Sequence, residues 1–136
     1  MFNYNNPHVM TTGALASIAT NGSADTPEMS WGQAAQVIGA RFIASSSQPS
    51  ANTTGSGLTV TLYKNASNAG SIVASFNTSG TAVAANGSVA LTLTTTAANT
   101  KFAANDVLIA EITGGAAMGS TLNSVIAVDY IFGYDD

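Results

Sequence analysis

The chain contains no cysteine, and only 7% of its residues are charged. Without thiols, neither disulfides nor thiolate metal sites are available to it. Arg41, Lys64 and Lys101 are its only basic residues, set against seven carboxylates for a formal net charge of -4. No basic stripe exists to neutralise a phosphate backbone, so no nucleic acid partner is expected. No apolar run approaches the roughly 18 residues of a membrane-spanning helix, and "MFNYNNPHVM" lacks the basic and apolar regions of a signal peptide. The expectation is a soluble, unprocessed protein with no membrane partner. His8 is the sole histidine, and its place near the N-terminus leaves a Ser/His/Asp triad without an anchored base.

What fills the chain instead is Thr, Ser, Asn, Gly and Ala, with 46% hydrophobic residues among its 136. That hydrophobic fraction separates it from disordered tracts, which pair low hydrophobicity with high net charge. A chain of this length forms one domain and buries roughly 68% of its unfolded surface. Its surface must be largely neutral and polar. N-x-S/T sequons occur at Asn21, Asn52, Asn65, Asn77 and Asn86, and this composition generates them by chance.

The period-two alternation of a half-buried strand is clearest in "LTVTLYK" at 58–64, where Leu58, Val60 and Leu62 interleave with Thr59, Thr61 and Tyr63. Residues 71–77 repeat it with Ile72, Ala74 and Phe76, and "NASNAG" between them supplies residues that tolerate positive φ. A hairpin is predicted. Val89, Leu91 and Leu93 continue the alternation, while "DVLIAEI" at 106–112 is apolar enough for a strand buried on both faces. Upstream, 36–45 interleaves Ile38, Ala40, Phe42 and Ala44 with Val37, Gly39, Arg41 and Ile43, and 13–20 is a weaker strand candidate. Downstream, 122–134 places Leu122, Ile126, Val128, Tyr130, Phe132 and Tyr134 on one face. The only helical window, 26–36, allows a single turn at most. Seven or eight short strands without βαβ spacing predict an all-β antiparallel β-sandwich, jelly-roll-like, and no fixed repeat points to a solenoid.

Chemistry-bearing residues are sparse. Asp106 at the mouth of a strand is read as a turn residue bonding to backbone rather than a Ca²⁺ ligand. Glu111 and Asp129 are read as outward-facing or interface carboxylates rather than a glycosidase pair. "TGGAAMGS" at 113–120 has the glycines of a phosphate loop but no following Lys or helix, and reads as a flexible loop tip. Mid-strand, Arg41 needs a carboxylate partner. Trp31 is expected to be buried, closing an end of the sandwich or an interface. No catalytic residue, metal or cofactor is expected.

The succession "L-x-V-x-L-Y-K-N", "G-S-I-V-A-S", "V-A-L-T-L", "F-A-A-N-D-V-L-I-A-E", a Gly loop and a closing apolar strand resembles trimeric jelly-roll modules over about residues 36–132. It is similar to the small virion structural proteins of tailed bacteriophages that decorate or cement the capsid. C1q and tumour-necrosis-factor-like trimers share the cue of a K-N turn followed by an acidic residue opening a buried strand. Their usual Gly-Asp is Asn105-Asp106 here. The resemblance implies a non-enzymatic homotrimer on the capsid surface of a virion, partnered by itself and by the major capsid protein, stabilising the head. A receptor- or carbohydrate-binding module of a phage fibre or tail is the alternative. Residues 1–12 are read as an N-terminal attachment arm and 13–136 as the sandwich domain. Phe2, Tyr4, His8 and Trp31 are the candidate contact residues, because aromatic rings supply the largest contact area.

Overall fold

A computed structural model describes residues 6–49, 56–67 and 70–133. Ten strands follow in order: β1 (His8–Thr11), β2 (Ser23–Asp25), β3 (Ala35–Ile43), β4 (Leu58–Lys64), β5 (Ser71–Asn77), β6 (Ser88–Ala90), β7 (Thr92–Leu93), β8 (Lys101–Phe102), β9 (Leu108–Gly114) and β10 (Val125–Phe132). A four-residue helix, α1 (Ala97–Thr100), precedes β8. The first sheet runs β1-β10-β3-β6, with β8 also on β3, and the second runs β2-β9-β4-β5-β7. All pairings are antiparallel. The strand order, in which the chain crosses repeatedly between sheets, is that of a jelly-roll sandwich.

The alternations at 58–64 and 71–77 coincide with β4 and β5. Leu58, Val60 and Leu62 are fully buried, packed with Phe42, Leu108 and Ile126 from the other strands. β9 lies between β2 and β4 and is buried on both faces: Leu108, Ala110 and Ile112 join the core while Ile109 and Glu111 are covered on the outer face.

Two strands break phase where the sequence alternates. In β3, Asp129 of β10 pairs with Gly39 and Tyr130 with Val37, so Ile38 is an extra, bulged residue. In β5, Leu62 pairs with Ala74 and Tyr63 with Ile72, so Val73 is the extra residue. Each bulge shifts the alternation by one residue. Val37 and Val73 therefore enter the core, while Ile38 and Ile72, expected on the same faces as Ala40 and Ala74, are 40% and 46% exposed. Because the extra residue of the first bulge lies on β3, β10 keeps its phase, and Ile126 and Val128 are buried as expected.

The single strand expected over Val89, Leu91 and Leu93 is divided. β6 pairs with β3 in the first sheet, β7 pairs with β5 in the second, and Leu91 between them donates its N–H to Ala40. One run of chain thus belongs to both sheets and closes that side of the sandwich.

Further differences lie upstream. Residues 13–20 form no strand, although Leu15 is buried and exchanges backbone hydrogen bonds with Asn123 and Ser124. The window 26–36 forms no helix; Met29 makes a bridge to Leu108 and the chain then enters β3. Leu122 sits in a turn, 52% exposed, rather than in the last strand. Tyr134, expected on the face of that strand, lies outside the described residues.

Turn chemistry follows Asn. Gly22, Gly87 and Ser124 donate to the carbonyls of Ala19, Ala84 and Thr121, and the third residue of each turn is Asn21, Asn86 or Asn123 with φ of 58°, 58° and 63°. Asn is the side-chain-bearing residue that best tolerates this region. The sequons at Asn21, Asn65 and Asn86 therefore coincide with positive-φ turn positions.

Candidate functional site

Among the described residues, the surface chemistry divides into three closed constellations and one open one. The first is on the outer face of the first sheet. Arg41 Nη1 donates to both oxygens of Asp129, at 3.2 and 3.1 Å. Arg41 thus finds the carboxylate it needs in its own chain. Glu111 lies on the outer face of the second sheet, so the two strand carboxylates stand on opposite sides of the sandwich and cannot act as a pair.

The second is a clamp between the tip of β4 and the loop before β9. Asn65, at φ 71°, donates its N–H to Val107 O and receives Val107 N–H on its side-chain oxygen at 3.0 Å. Its amide also donates to Asp106 Oδ1 at 3.0 Å. Asp106 Oδ2 accepts from Ala103 N–H at 2.8 Å and pairs with Lys64 Nζ at 3.0 Å. Partial burial opposes ionisation of Asp106, but the hydrogen bonds from Ala103 and Asn65 and the ammonium of Lys64 outweigh it and hold its pKa below the ordinary value. Both oxygens are engaged and the neighbouring charge is already positive, which is a turn-and-backbone role and leaves no vacant ligand for Ca²⁺. The K-N turn and the acidic residue noted in the sequence are thus two halves of one contact.

The third is an aromatic stack at that same end. Trp31 packs edge-on against Phe102, with ring centroids 4.9 Å apart, and lies 5.3 Å from Tyr130. Tyr130 meets Phe132 at 5.3 Å, and His8 stacks on Tyr130 at 5.5 Å. Lys64 Nζ stands 5.5 Å over the Phe102 ring. The segment from Met29 to β3 carries Trp31 across this end of the sandwich, as expected, though half-buried rather than fully buried. Its Nε1 is buried without a hydrogen-bond partner.

The fourth constellation is open. β1 and β2 are the end strands of the two sheets on the side away from the β6–β7 run. Between them lies a groove of about 390 Å³, lined on one wall by 11–16 and on the other by 24–27, with Met29 and Ile112. Thr11, Thr12, Ala14, Leu15, Ala24, Pro27, Met29 and Ile112 make it apolar or neutral, and Asp25 is its sole charged residue.

Of the expected contact residues, Phe2 and Tyr4 lie outside the described residues. His8 and Trp31 share the aromatic end, joined through Tyr130. The arm expected over 1–12 is corrected in its second half: His8–Thr11 is paired in register with Ala127–Tyr130, and Thr12 continues the pairing to Ile126. Pro7 immediately precedes the strand, where its missing N–H costs no ladder bond. The loop at 113–120 is corrected too. Gly114, Gly115 and Ala117 donate to Gly22, Gly57 and Ser56, and the fully buried Gln48 receives Gly119 N–H and donates to Ser120 O. Met118 packs on the core directly against Gly114, where any side chain would collide with it. The sequence reading missed the groove, whose walls are distant in the chain; the one local signal was a short strand without charges, "HVMT".

No family model matches the chain, and no curated protein matches it. Among solved structures, it is similar to two described as the structure of infectious bursal disease virus, Gt strain and Gx strain. The identities are 14% and 15%, with TM-scores of 0.31 and 0.35. The alignments cover 93% and 96% of this chain but only 36% and 38% of those chains, little more than a third of their length.

Proposed function

We propose that the chain is a non-enzymatic structural protein of a bacteriophage virion, binding the major capsid protein as a homotrimeric decoration or cement protein at the capsid surface. The observation that carries this reading is the open side of the sandwich. One side of the jelly roll is closed by the β6–β7 run, whereas the other presents two end strands and an apolar groove. Natural sheets blunt free edges with Lys, Pro, bulges or inward charges, and His8–Thr11 has none of these within it. Such a surface serves contact. Arg41 and Lys64 are each held by a carboxylate of their own chain, so recognition rests on shape, apolar area and backbone hydrogen bonds, which salt screens little.

The alternative, a carbohydrate-binding module of a fibre or tail, needs an aromatic platform. The large hydrophobic side chains exposed among the described residues are Val9, Ile38, Ile72 and Leu122, all aliphatic. Trp31 and Tyr130 spend ring area on each other, which favours the first reading.

Purified particles carrying this protein, imaged with and without it, test the proposal. Stoichiometric density on the capsid lattice, and heads that open at lower temperature in its absence, are the expected result. Particles that lack the chain, or carry it only at a fibre tip, overturn it.

A further inference from the structure

Two of the turns built on Asn set it directly before Gly: Asn21-Gly22 and Asn86-Gly87 are the only Asn-Gly pairs in the chain. The turns ask for both residues. Asn holds φ at 58° in each, and a Cβ on Gly22 or Gly87 would stand 2.8 or 2.9 Å from the carbonyl oxygen of Ala19 or Ala84. That pairing carries a chemistry of its own. In an Asn-Gly sequence the glycine nitrogen, unshielded by a side chain, can attack Asn Cγ: the N–Cγ bond forms, the Cγ–Nδ2 bond breaks, and the glycine amide proton leaves with the amine as ammonia. Water then opens the succinimide at either carbonyl, giving aspartate or isoaspartate.

Asn21 and Asn86 are both exposed, so water and base reach them. The folded backbone nevertheless withholds the nucleophile. Gly22 and Gly87 donate their N–H to Ala19 O at 2.8 Å and Ala84 O at 2.9 Å, while their own carbonyls accept from Gly114 and Ala44, both at 2.9 Å. Each glycine is thus fixed on both sides. The ring closes only when Asn Cβ and the glycine nitrogen eclipse about the Cα–C bond, and a turn of this kind, with ψ about 0° at its third residue, keeps them apart. Rotating that bond swings the glycine N–H off its acceptor, so reaction and turn exclude each other. We propose that Asn21 and Asn86 are latent modification sites, closed by their turns in the folded chain and converted to aspartate or isoaspartate when a turn opens. Each conversion adds a negative charge to a chain whose net charge is -4. At Asn21 that charge stands two residues before β2, an end strand beside the groove. The chemistry concerns this chain alone and holds whether or not the protein sits on a capsid.

Asn123 is an internal control. Its turn has the same hydrogen bond, Ser124 N–H to Thr121 O at 2.9 Å, and a φ of 63°, but the following residue carries a side chain that crowds the attack. The full-length protein, incubated folded and in guanidinium chloride in mildly alkaline buffer, is read by peptide mapping that separates Asn, aspartate and isoaspartate. In the denatured chain positions 21 and 86 are expected to convert ahead of Asn123. In the folded chain both should be slower by about tenfold or more, because only the open fraction of each turn reacts. Hydrogen exchange at the Gly22 and Gly87 amides reports the same openings, so the site with the faster-exchanging glycine should convert first. Asn21→Gly/Asn86→Gly, which keeps the positive φ, should remove both products at an unchanged fold. Equal rates in folded and denatured protein, or a folded-state order opposite to the exchange order, overturn the gate. A denatured chain in which positions 21 and 86 lag behind Asn123 overturns the two sites.

Discussion

Arg41 and Asp129, 88 residues apart in sequence, meet across the β3–β10 ladder through one guanidinium nitrogen that reaches both carboxylate oxygens. They are not directly opposite each other: Asp129 pairs with Gly39, and Arg41 pairs with Ala127. The contact is diagonal, and Gly39 makes room for it. A Cβ at position 39 would stand 3.1 Å from Asp129 Oδ2.

This geometry predicts that Gly39→Ala and Asp129→Asn are not additive, because both disturb the same carboxylate. The side chains are 39% and 30% exposed, so the pair itself contributes about 0.5–1 kcal/mol at low salt. Denaturant midpoints for the Arg41→Ala/Asp129→Ala cycle should show a coupling of that size that shrinks in 1 M salt. A coupling unchanged by salt would mean that packing rather than charge joins the two residues.

Asp106 supplies a pH dependence. Its folded pKa lies below the ordinary aspartate value of 3.8, so its contribution is fully present above the unfolded pKa and is lost as pH falls through the folded one. Stability of the wild-type chain should therefore decline from about pH 4 downward. Asp106→Asn should flatten that part of the profile while lowering stability at pH 7. Thermal melts from pH 2 to 7 read both effects, and parallel profiles for the two proteins would remove Asp106 as their cause.

Trp31 combines a useful ring with an unused donor. Its Nε1 is buried with no acceptor, a group whose removal recovers the desolvation penalty of about 1–3 kcal/mol. Trp31→Phe should thus fall within about 1 kcal/mol of wild type, the lost ring area and the removed donor offsetting each other. Trp31→Ala should cost about 3 kcal/mol or more, since Phe102 and Tyr130 lose their shared neighbour. Equal losses for the two changes would show that the indole nitrogen contributes through a bound water.

The β4 register is tested at adjacent positions. Leu62 is fully buried, so Leu62→Ala should cost about 2–5 kcal/mol. Thr61 faces the opposite side, where it pairs with Ser75 and Glu111 and retains only 7% exposure. Thr61→Ala is expected to cost about 1 kcal/mol, more than a free surface site and less than the core. Equilibrium urea unfolding ranks the two; the reverse order would place the strand one residue out of register.

A turn prediction completes the set. Asn86 holds φ at 58° in the turn from Ala84 to Gly87. Asn86→Gly should be nearly neutral, whereas Asn86→Val should cost about 1–2 kcal/mol because a β-branched residue resists left-handed backbone. Comparable melting temperatures for the two variants would show that the turn rearranges.

Local pattern was enough to place β4 and β5 to the residue, because period-two alternation is written into consecutive side chains and Asn65 marks the turn between them. It also found the doubly buried character of β9 and the need of Arg41 for a partner, since both follow from residue type and position within one strand. Pairing decided what remained. Ile38 and Ile72 turn outward because bulges opposite 129–130 and 62–63 shift the phase, and a bulge exists only relative to a neighbouring ladder. The strand divides at Leu91 because Ala40 and Val73 lie on different sheets: Leu91 donates its N–H to Ala40, and Thr94, past the crossing, donates to Val73. His8–Thr11 became an edge strand because β10 offered it a ladder. The aromatic end joins residues 8, 31, 102 and 130, and the groove joins 11–16 to 24–29 and 112. Those contacts are spaced by the crossing of the chain between sheets, which no window of the sequence contains, because hydrophobic burial specifies that a face must be covered but not which segment covers it.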